Sequence, residues 1–230
     1  MSDFLFTSLY FGVFISLGTY MFGMWLKSKL KLEILNPILT SALLTISLLL
    51  ILDIDYETYN ETAKYLTYLL TPATVCLAIP LYEKVLLLKK HLWAVLISAF
   101  AGVIANGICI FLLSIIFNLT ETQFATLIPK SITTAMGIGV SNELGGMENL
   151  TVAAIVFTGI FGTVTATFVL KLFKITHPIA KGLAIGTSAH ALGTSKAIEL
   201  GEIEGAMSGL AIAVCGLMTV VIAPLLFSIY

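Results

Sequence analysis

Two segments of this chain combine helix-breaking residues with hydroxyl and charged side chains. The first is residues 129–146, PKSITTAMGIGVSNELGG, and the second is residues 182–199, GLAIGTSAHALGTSKAIE. Backbone that departs from a helix inside a membrane is tolerated only where protein or a water-filled cavity surrounds it. Because the rest of the chain is strongly apolar, we predict that these two segments form a binding site inside a membrane protein.

The beginning of the first segment has the composition of an anion-binding site. Pro129 suits the first turn of a helix, so a half-helix is predicted to begin there. Lys130 adds a positive charge beside free backbone N–H groups, which attract anions. With the hydroxyl side chains of Ser131, Thr133 and Thr134, it is predicted to bind a small carboxylate. The alternative is a lysine that extends to the membrane interface, with the hydroxyls capping a helix.

The end of the first segment contains an amide and a carboxylate. Asn142 and Glu143 are predicted to bind a coupling proton or cation, because acids within membranes often have that role. Glycine permits unwound backbone whose carbonyls point inward. The alternative is a surface loop in which Gly145 and Gly146 end a helix.

The second segment carries a histidine, hydroxyls and a lysine. His190 changes its charge near neutral pH and is predicted to relay a proton, or alternatively to be a hydrogen-bonded packing residue. Thr194 and Lys196 are predicted to contribute to the carboxylate site. An ion pair between Lys196 and Glu199 is the alternative for that lysine.

Enzymatic chemistry is not expected. Ser195 and Lys196 are adjacent and do not face one another on a helix, and neither HExxH nor GxSxG occurs. The cysteines have neither zinc nor disulfide spacing, and a net charge of -1 argues against a nucleic-acid partner. We therefore expect no catalytic residue, no metal and no cofactor.

Composition identifies the class of protein. The 230 residues are 58% hydrophobic and 11% charged, against roughly 25% charged in soluble domains. Uncharged runs long enough to span a bilayer occupy residues 4–26, 34–52, 92–120, 149–170 and 205–230, and a further run at 65–82 is interrupted by prolines. Asn106 is expected to hydrogen-bond to a neighbouring helix. The predicted fold is an all-α integral membrane protein with six to eight transmembrane helices, two or three of them broken or re-entrant.

The distribution of lysines predicts the topology. Residues 27–31 and 84–91 are basic and are placed inside, while residues 53–62 form an acidic polar loop placed outside. A full crossing by residues 124–146 would put the basic residues 171–181 outside. A re-entrant hairpin keeps them inside and is therefore favoured. The N-terminus is then outside, in a multi-pass protein of the inner (plasma) membrane.

Two segments of the chain are weakly similar to each other, which indicates an internal repeat. Residues 71–83, TPATVCLAIPLYE, and 187–199, TSAHALGTSKAIE, both begin with threonine, break in the middle and end in glutamate. We interpret this as an inverted repeat with halves 1–120 and 121–230 inside a single membrane domain of residues 1–230, as in secondary transporters. Glycines at four-residue spacing from residue 201 permit close helix packing, and a homodimer is expected.

The motifs of both segments resemble those of the LrgB/CidB family. The resemblance covers essentially the whole chain. It rests on PKSITT at 129–134, VS at 140–141, GG at 145–146, HALGT at 190–194 and ELGEIEGAMSGLA at 199–211. The family usually has proline where Ala135 stands, which leaves the break point open. It has Ala-Arg where Ser195 and Lys196 stand, which preserves the positive charge.

The resemblance implies two different functions. The bacterial members are named antiholin-like or holin-like, are linked to murein hydrolase activity and lysis, and usually occur beside a small LrgA/CidA partner. A plant relative moves glycolate and glycerate, and bacterial pairs are tied to pyruvate. A lysine and hydroxyls at broken-helix ends suit a small carboxylate better than a pore. We therefore expect a proton- or cation-coupled monocarboxylate transporter, the alternative being an antiholin/holin-like regulator of lysis.

Overall fold

The computed structural model describes residues 10–30, 37–69 and 85–230, with Pro72, Cys76 and Tyr82 as single residues. These residues form α-helices and connecting turns, with no strand among them. The all-α prediction is confirmed. The chain divides into two compact units, residues 1–78 and 79–230.

The first unit contains α1 (Phe11–Leu30), α2 (Pro37–Ile51) and α3 (Tyr56–Tyr68). Hydroxyl groups join these apolar helices. The Thr62 hydroxyl accepts a 2.8 Å hydrogen bond from the backbone N–H of Gly12, and the hydroxyls of Thr19 and Thr45 lie 2.9 Å apart. Helices in an apolar surrounding gain stability from such bonds between them.

The acidic loop predicted at residues 53–62 is wrong in its extent. α3 begins at Tyr56, inside that range, because the Asp55 side chain accepts a 3.0 Å hydrogen bond from the Glu57 backbone N–H and caps the helix. A cap of this kind satisfies one of the backbone donors at a helix start.

The second unit holds the two segments of interest. Its helices are α4 (Val85–Lys90), α5 (Leu92–Ile116), α6 (Glu121–Leu127), α7 (Thr134–Glu143), α8 (Glu148–Leu172), α9 (Pro178–Leu200) and α10 (Glu202–Phe227). Of the described helices, α5, α8 and α10 are long and apolar enough to cross a membrane, and α2 is a shorter apolar helix. The number of crossings stays a prediction.

Helices α6 and α7 form a hairpin, here called the first hairpin (residues 121–146). The chain after α7 returns to the last turn of α6, because the backbone N–H of Met147 donates a 2.9 Å hydrogen bond to the Thr126 hydroxyl. A Cβ at Gly146 would lie 2.9 Å from the Thr126 backbone nitrogen. The chain therefore reverses direction between α6 and α7, while the re-entrant path through a bilayer stays a prediction.

Helix α9 also reverses direction and forms the second hairpin (residues 178–200). His190 has φ 42° and ψ −138°, far from helical values. A Cβ at Gly193 would lie 3.3 Å from the Ile185 carbonyl oxygen, whereas eight residues of straight helix span about 12 Å. The break predicted in this segment is confirmed, and it lies at His190.

The two hairpins enter the second unit from opposite ends. The first hairpin follows the last residue of α5, whereas the second begins beside the first residue of α5, since His91 and His177 line one cleft. We call the latter the basic end, because it carries Lys89, Lys90, Lys171 and Lys174. The basic residues 171–181 thus share an end with His91, as the re-entrant topology predicts.

The inverted repeat stays a prediction. Its first copy, residues 71–83, lies almost wholly outside the described residues, and so does most of the interrupted run 65–82. Residues 4–9 of the first predicted span are outside them as well.

Candidate functional site

The tip of the first hairpin is a tight double turn. The backbone N–H of Lys130 donates to the Leu127 carbonyl at 3.1 Å, and that of Ile132 donates to the Pro129 carbonyl at 3.3 Å. Helix α7 starts only at Thr134, so the prediction of a half-helix beginning at Pro129 is wrong. The chain must reverse between α6 and α7, and two consecutive turns accomplish this where a helix would continue straight.

A side chain from the middle of α5 holds this tip. Asn106 donates a 3.0 Å hydrogen bond to the Ile128 carbonyl and accepts one of 3.0 Å from the Ser131 hydroxyl. The half-buried Lys130 ammonium donates in turn to Ser131 at 3.1 Å. The expected bond from Asn106 to a neighbouring element is confirmed, and its partner is the predicted site itself.

The tip of the second hairpin is His190, which is 3% exposed. Its ring nitrogen Nε2 lies 2.9 Å from the Ile155 carbonyl oxygen of α8, and a Cβ at Gly159 would lie 2.8 Å from the same nitrogen. The Thr194 hydroxyl donates to the His190 carbonyl at 3.1 Å and lies 2.8 Å from that of Ser208. A positive φ is a strained conformation for histidine.

The two tips lie at the same level of the second unit. Asn106 of α5 binds the first tip, and Gly102 of α5 lies against Thr187 near the second, 2.9 Å from Thr187 Cβ to a Cβ at Gly102. These α5 residues are one turn apart, about 6 Å along the axis. The tips of both hairpins therefore lie beside the middle of α5.

A cavity of about 460 Å³ extends from Lys130 along α8 and the first arm of the second hairpin, and we call it the lysine chamber. Its polar lining comprises Lys130, Thr158, Thr165 and Ser188. It continues to Leu170 and Ile175 near the basic end, and the stretch of α8 from Thr158 to Leu170 is about 18 Å long.

Three hydroxyl residues of the lysine chamber were not predicted from the sequence. Thr158 and Thr165 lie in an apolar run without a charge or a proline. Their seven-residue spacing, with Gly162 between them, places them on one face of α8. That spacing was the available signal. Ser188 lies in the second segment but was not assigned to the site.

The other predicted residues fall in three places. Thr133 and Thr134 begin α7 beside the first tip and are half-buried. Asn142 and Glu143 are exposed at its far end, about 12 Å along the helix from Thr134. Asn142 donates a 3.3 Å hydrogen bond to Glu148 there. Lys196 forms an ion pair with Glu199 at 3.0 Å.

The end of α7 has the geometry of a helix stop. Gly145 has φ +78°. Its backbone N–H donates to the Asn142 carbonyl at 3.2 Å, and that of Gly146 donates to the Ser141 carbonyl at 2.7 Å. These two bonds form a Schellman motif, which requires a left-handed residue that glycine supplies.

Comparison with known proteins gives a consistent result. The model of the LrgB-like family matches residues 16–229. Proteins named antiholin-like protein LrgB from Bacillus cereus (strain B4264) and Bacillus anthracis (strain A0248) are each 36% identical over 217 residues, covering 94% of this chain and 94% of the relative. No solved structure matches the chain.

Proposed function

Because this chain belongs to the LrgB-like family, we propose that it acts as an antiholin-like integral membrane protein that restrains murein hydrolase activity and cell lysis. The observation that carries this proposal is the similarity over 94% of the chain to proteins with the antiholin-like name. An LrgA/CidA-like membrane protein is the proposed partner, and a homodimer is the proposed assembly.

The surface of the second unit supports contact with other membrane helices. Its long helices expose large apolar side chains, with Phe157 at 70%, Phe168 at 66% and Leu217 at 65%. The glycines of α9, by contrast, face inward, since Gly182 and Gly186 lie against the α10 backbone. A partner helix would therefore contact the large apolar side chains.

Expression beside a holin-like protein in a bacterial host tests this proposal. We expect the chain to delay membrane depolarisation and to reduce murein hydrolase activity in zymograms. Unchanged lysis in cells that contain the chain in the membrane at normal abundance would contradict the antiholin-like function.

A second function is supported by a specific observation, the lysine chamber. We propose that the protein carries small monocarboxylates such as pyruvate or glycolate. Lys130 and Ser131 would bind the carboxylate, and Thr158 and Ser188 would bind further oxygens of the substrate. A volume of about 460 Å³ lies within the roughly 300–1,000 Å³ of ligand pockets. Thr133, Thr134, Thr194 and Lys196 remain proposed secondary contributors.

The arrangement of the hairpins supports alternating access. Two re-entrant segments from opposite ends meet at one level, as discontinuous helices do in secondary transporters. The lysine chamber extends from the tips towards the basic end, while Asn106 holds the first tip. His190 is the candidate for proton coupling beside the substrate. Asn142 and Glu143 would act at the other end of the first hairpin.

Uptake into proteoliposomes tests the carrier function. Labelled pyruvate, lactate and glycolate are offered to the wild type, to Lys130→Ala and to Lys174→Ala, whose lysine is exposed outside the chamber. We expect saturable uptake that Lys130→Ala loses and Lys174→Ala retains, with an encapsulated large dye kept inside. Dye escape would indicate a pore, and equal uptake by both variants would contradict the role of Lys130.

The same variant separates the two functions in cells. If lysis control depends on carboxylate movement, Lys130→Ala loses it. If it depends on helix contacts in the membrane, Lys130→Ala retains it.

A further inference from the structure

A second cavity, separate from Lys130, opens between α5 and the first arm of the second hairpin. Its volume is about 620 Å³. It extends from His91 and His177 at the basic end to Gly102 and Thr187 at the level of the hairpin tips. We call it the histidine cleft, and it takes no part in either proposed function.

The mouth of the histidine cleft favours an anion. His91 and His177 are the residues that precede α5 and α9, and neither side chain caps its helix. The first backbone N–H groups of a helix have no partner within the helix. The starts of α5 and of the first arm of α9 therefore add positive potential at the two imidazole rings.

The charged residues around the mouth are mostly basic. Lys89, Lys90, Lys171 and Lys174 are exposed at this end. The nearby carboxylates are engaged with lysines: Glu204 lies 4.0 Å from Lys181, and Glu199 lies 3.0 Å from Lys196. Glu202 at the start of α10 is the further acid of this end. Among the described residues of this end, lysines therefore outnumber carboxylates.

The interior of the cleft is apolar and has the length of one membrane leaflet. Below the histidines its walls are formed mainly by small and aliphatic side chains, among them Ala94 and Leu183. From His91 to Gly102 is about 16 Å along α5, and half of the roughly 30 Å hydrocarbon core is about 15 Å. An inorganic anion would occupy the mouth and leave this apolar length empty.

We propose that the histidine cleft binds one anionic phospholipid from the leaflet at the basic end. The headgroup phosphate lies between His91 and His177, and one acyl chain lies along Ala94 and Leu183 towards Gly102. Among the described residues no three metal-ligating side chains are grouped, so the two histidines fit an anion better than a metal ion. Basic pockets between membrane helices are suited to such headgroups.

Native mass spectrometry of the purified full chain tests the proposal. The protein in detergent is titrated with phosphatidylglycerol, with phosphatidylcholine of the same acyl length, and with phosphatidylglycerol in the presence of inorganic phosphate. We expect one phosphatidylglycerol per chain to be retained, at least tenfold more tightly than phosphatidylcholine, with little competition from phosphate.

Variants distinguish lipid binding in the histidine cleft from a general attraction to positive charge. The double variant His91→Gln/His177→Gln removes the headgroup contacts, and Ser98→Phe fills the apolar interior without changing charge. Each is expected to weaken phosphatidylglycerol binding at least tenfold. Ile97→Phe, on a neighbouring exposed position of α5 that is 64% exposed, and Lys171→Gln, outside the cleft, are expected to change it less than twofold.

Three results would overturn the proposal. Equal losses in Lys171→Gln and in the histidine variant would assign binding to diffuse charge. Full binding in Ser98→Phe would exclude an acyl chain in the cleft, and complete competition by phosphate would assign the mouth to a free anion. None of these results depends on carboxylate uptake or on lysis, so the proposal fails or stands separately from the proposed function.

Discussion

The two hairpins reach the same level of the second unit but are held there in different ways. The first is fixed by hydrogen bonds at its base, where Thr151 lies 2.6 Å from the Ser141 hydroxyl and donates to the Thr126 carbonyl at 3.0 Å. The second is fixed by close glycine contacts with α10 and by one strained residue at its tip. The first hairpin is thus anchored by buried polar groups at its base, and the second mainly by close packing along α10, with polar contacts only at His190 and Thr194.

This difference bears on which hairpin moves. Breaking the base of the first hairpin would leave buried hydroxyl and carbonyl groups without partners, at a cost of about 1–3 kcal/mol per group. Sliding the second hairpin along α10 exchanges van der Waals contacts and breaks two polar contacts, the partly buried one between Thr194 and Ser208 and that of His190 with the Ile155 carbonyl. His190 also stores strain of order 1–3 kcal/mol. For the proposed carrier function, we infer that the second hairpin is the movable element.

The largest expected effect concerns the glycine contacts of the second hairpin. Gly186→Val should destabilise the folded protein by about 3 kcal/mol, because a Cβ there would lie 2.9 Å from both Ser208 Cα and Ala211 Cβ. Thermal unfolding in detergent measures the effect. Gly209→Ala is the matched control, since nothing lies within 4 Å of a Cβ at that position. Equal unfolding temperatures for the two variants would show that α9 does not pack against α10 in this way.

The base of the first hairpin should give the next effect. Thr151→Val keeps the shape but removes the hydroxyl that contacts Ser141 and Thr126, and we expect a loss of about 2 kcal/mol. Thr163→Val is the control, because the Thr163 hydroxyl donates within its own helix, to Gly159 at 2.7 Å. Chemical unfolding measures the free energy of unfolding of both variants. If Thr163→Val lowered the free energy of unfolding as much as Thr151→Val, the hydrogen bonds at the base would not be what holds the first hairpin.

The sequence predicted that the chain reverses in the first hairpin, but it did not predict where α7 begins. The basic residues 171–181 favour a re-entrant path, and in the structure they share an end of the second unit with His91. The helix start at Pro129 was wrong because a proline signal also suits a turn. In the same way, the polar character of residues 53–62 predicts a loop, whereas the structure has α3 beginning at Tyr56. Asp55 ahead of Glu57 and an amphipathic run was the signal of the helix that begins there.

The composition of the site was predicted only where its residues are neighbours in sequence. Lys130 and Ser131 were found together, whereas Thr158 and Thr165 come from α8 and reach the chamber only through tertiary packing. Conversely, Asn142 and Glu143 are close to Lys130 in sequence but are separated from it by the length of α7. A single sequence contains the period of a helix but not the way in which two hairpins meet.

A smaller effect should reveal the strain at the tip of the second hairpin. His190→Ala and His190→Gly both lose the ring contact with the Ile155 carbonyl. Glycine accepts a positive φ without steric cost, so His190→Gly should be more stable than His190→Ala by about 1 kcal/mol. Unfolding of both variants under the same conditions measures the difference. An Ala variant as stable as the Gly variant would mean that the chain does not reverse at this residue.

The smallest expected effect is the difference in coupling energy between one hydrogen bond of the first hairpin and one of the second. Double-mutant cycles on Ser141 with Thr151 and on Thr194 with Ser208 isolate the pairwise energies. The first pair is buried and the second only partly so, so water can replace the second bond more easily. We expect a coupling of about 1–1.5 kcal/mol for the first pair and about 0.5 kcal/mol for the second. A larger coupling at Thr194 would make the second hairpin the polar anchor and assign the movement to the first.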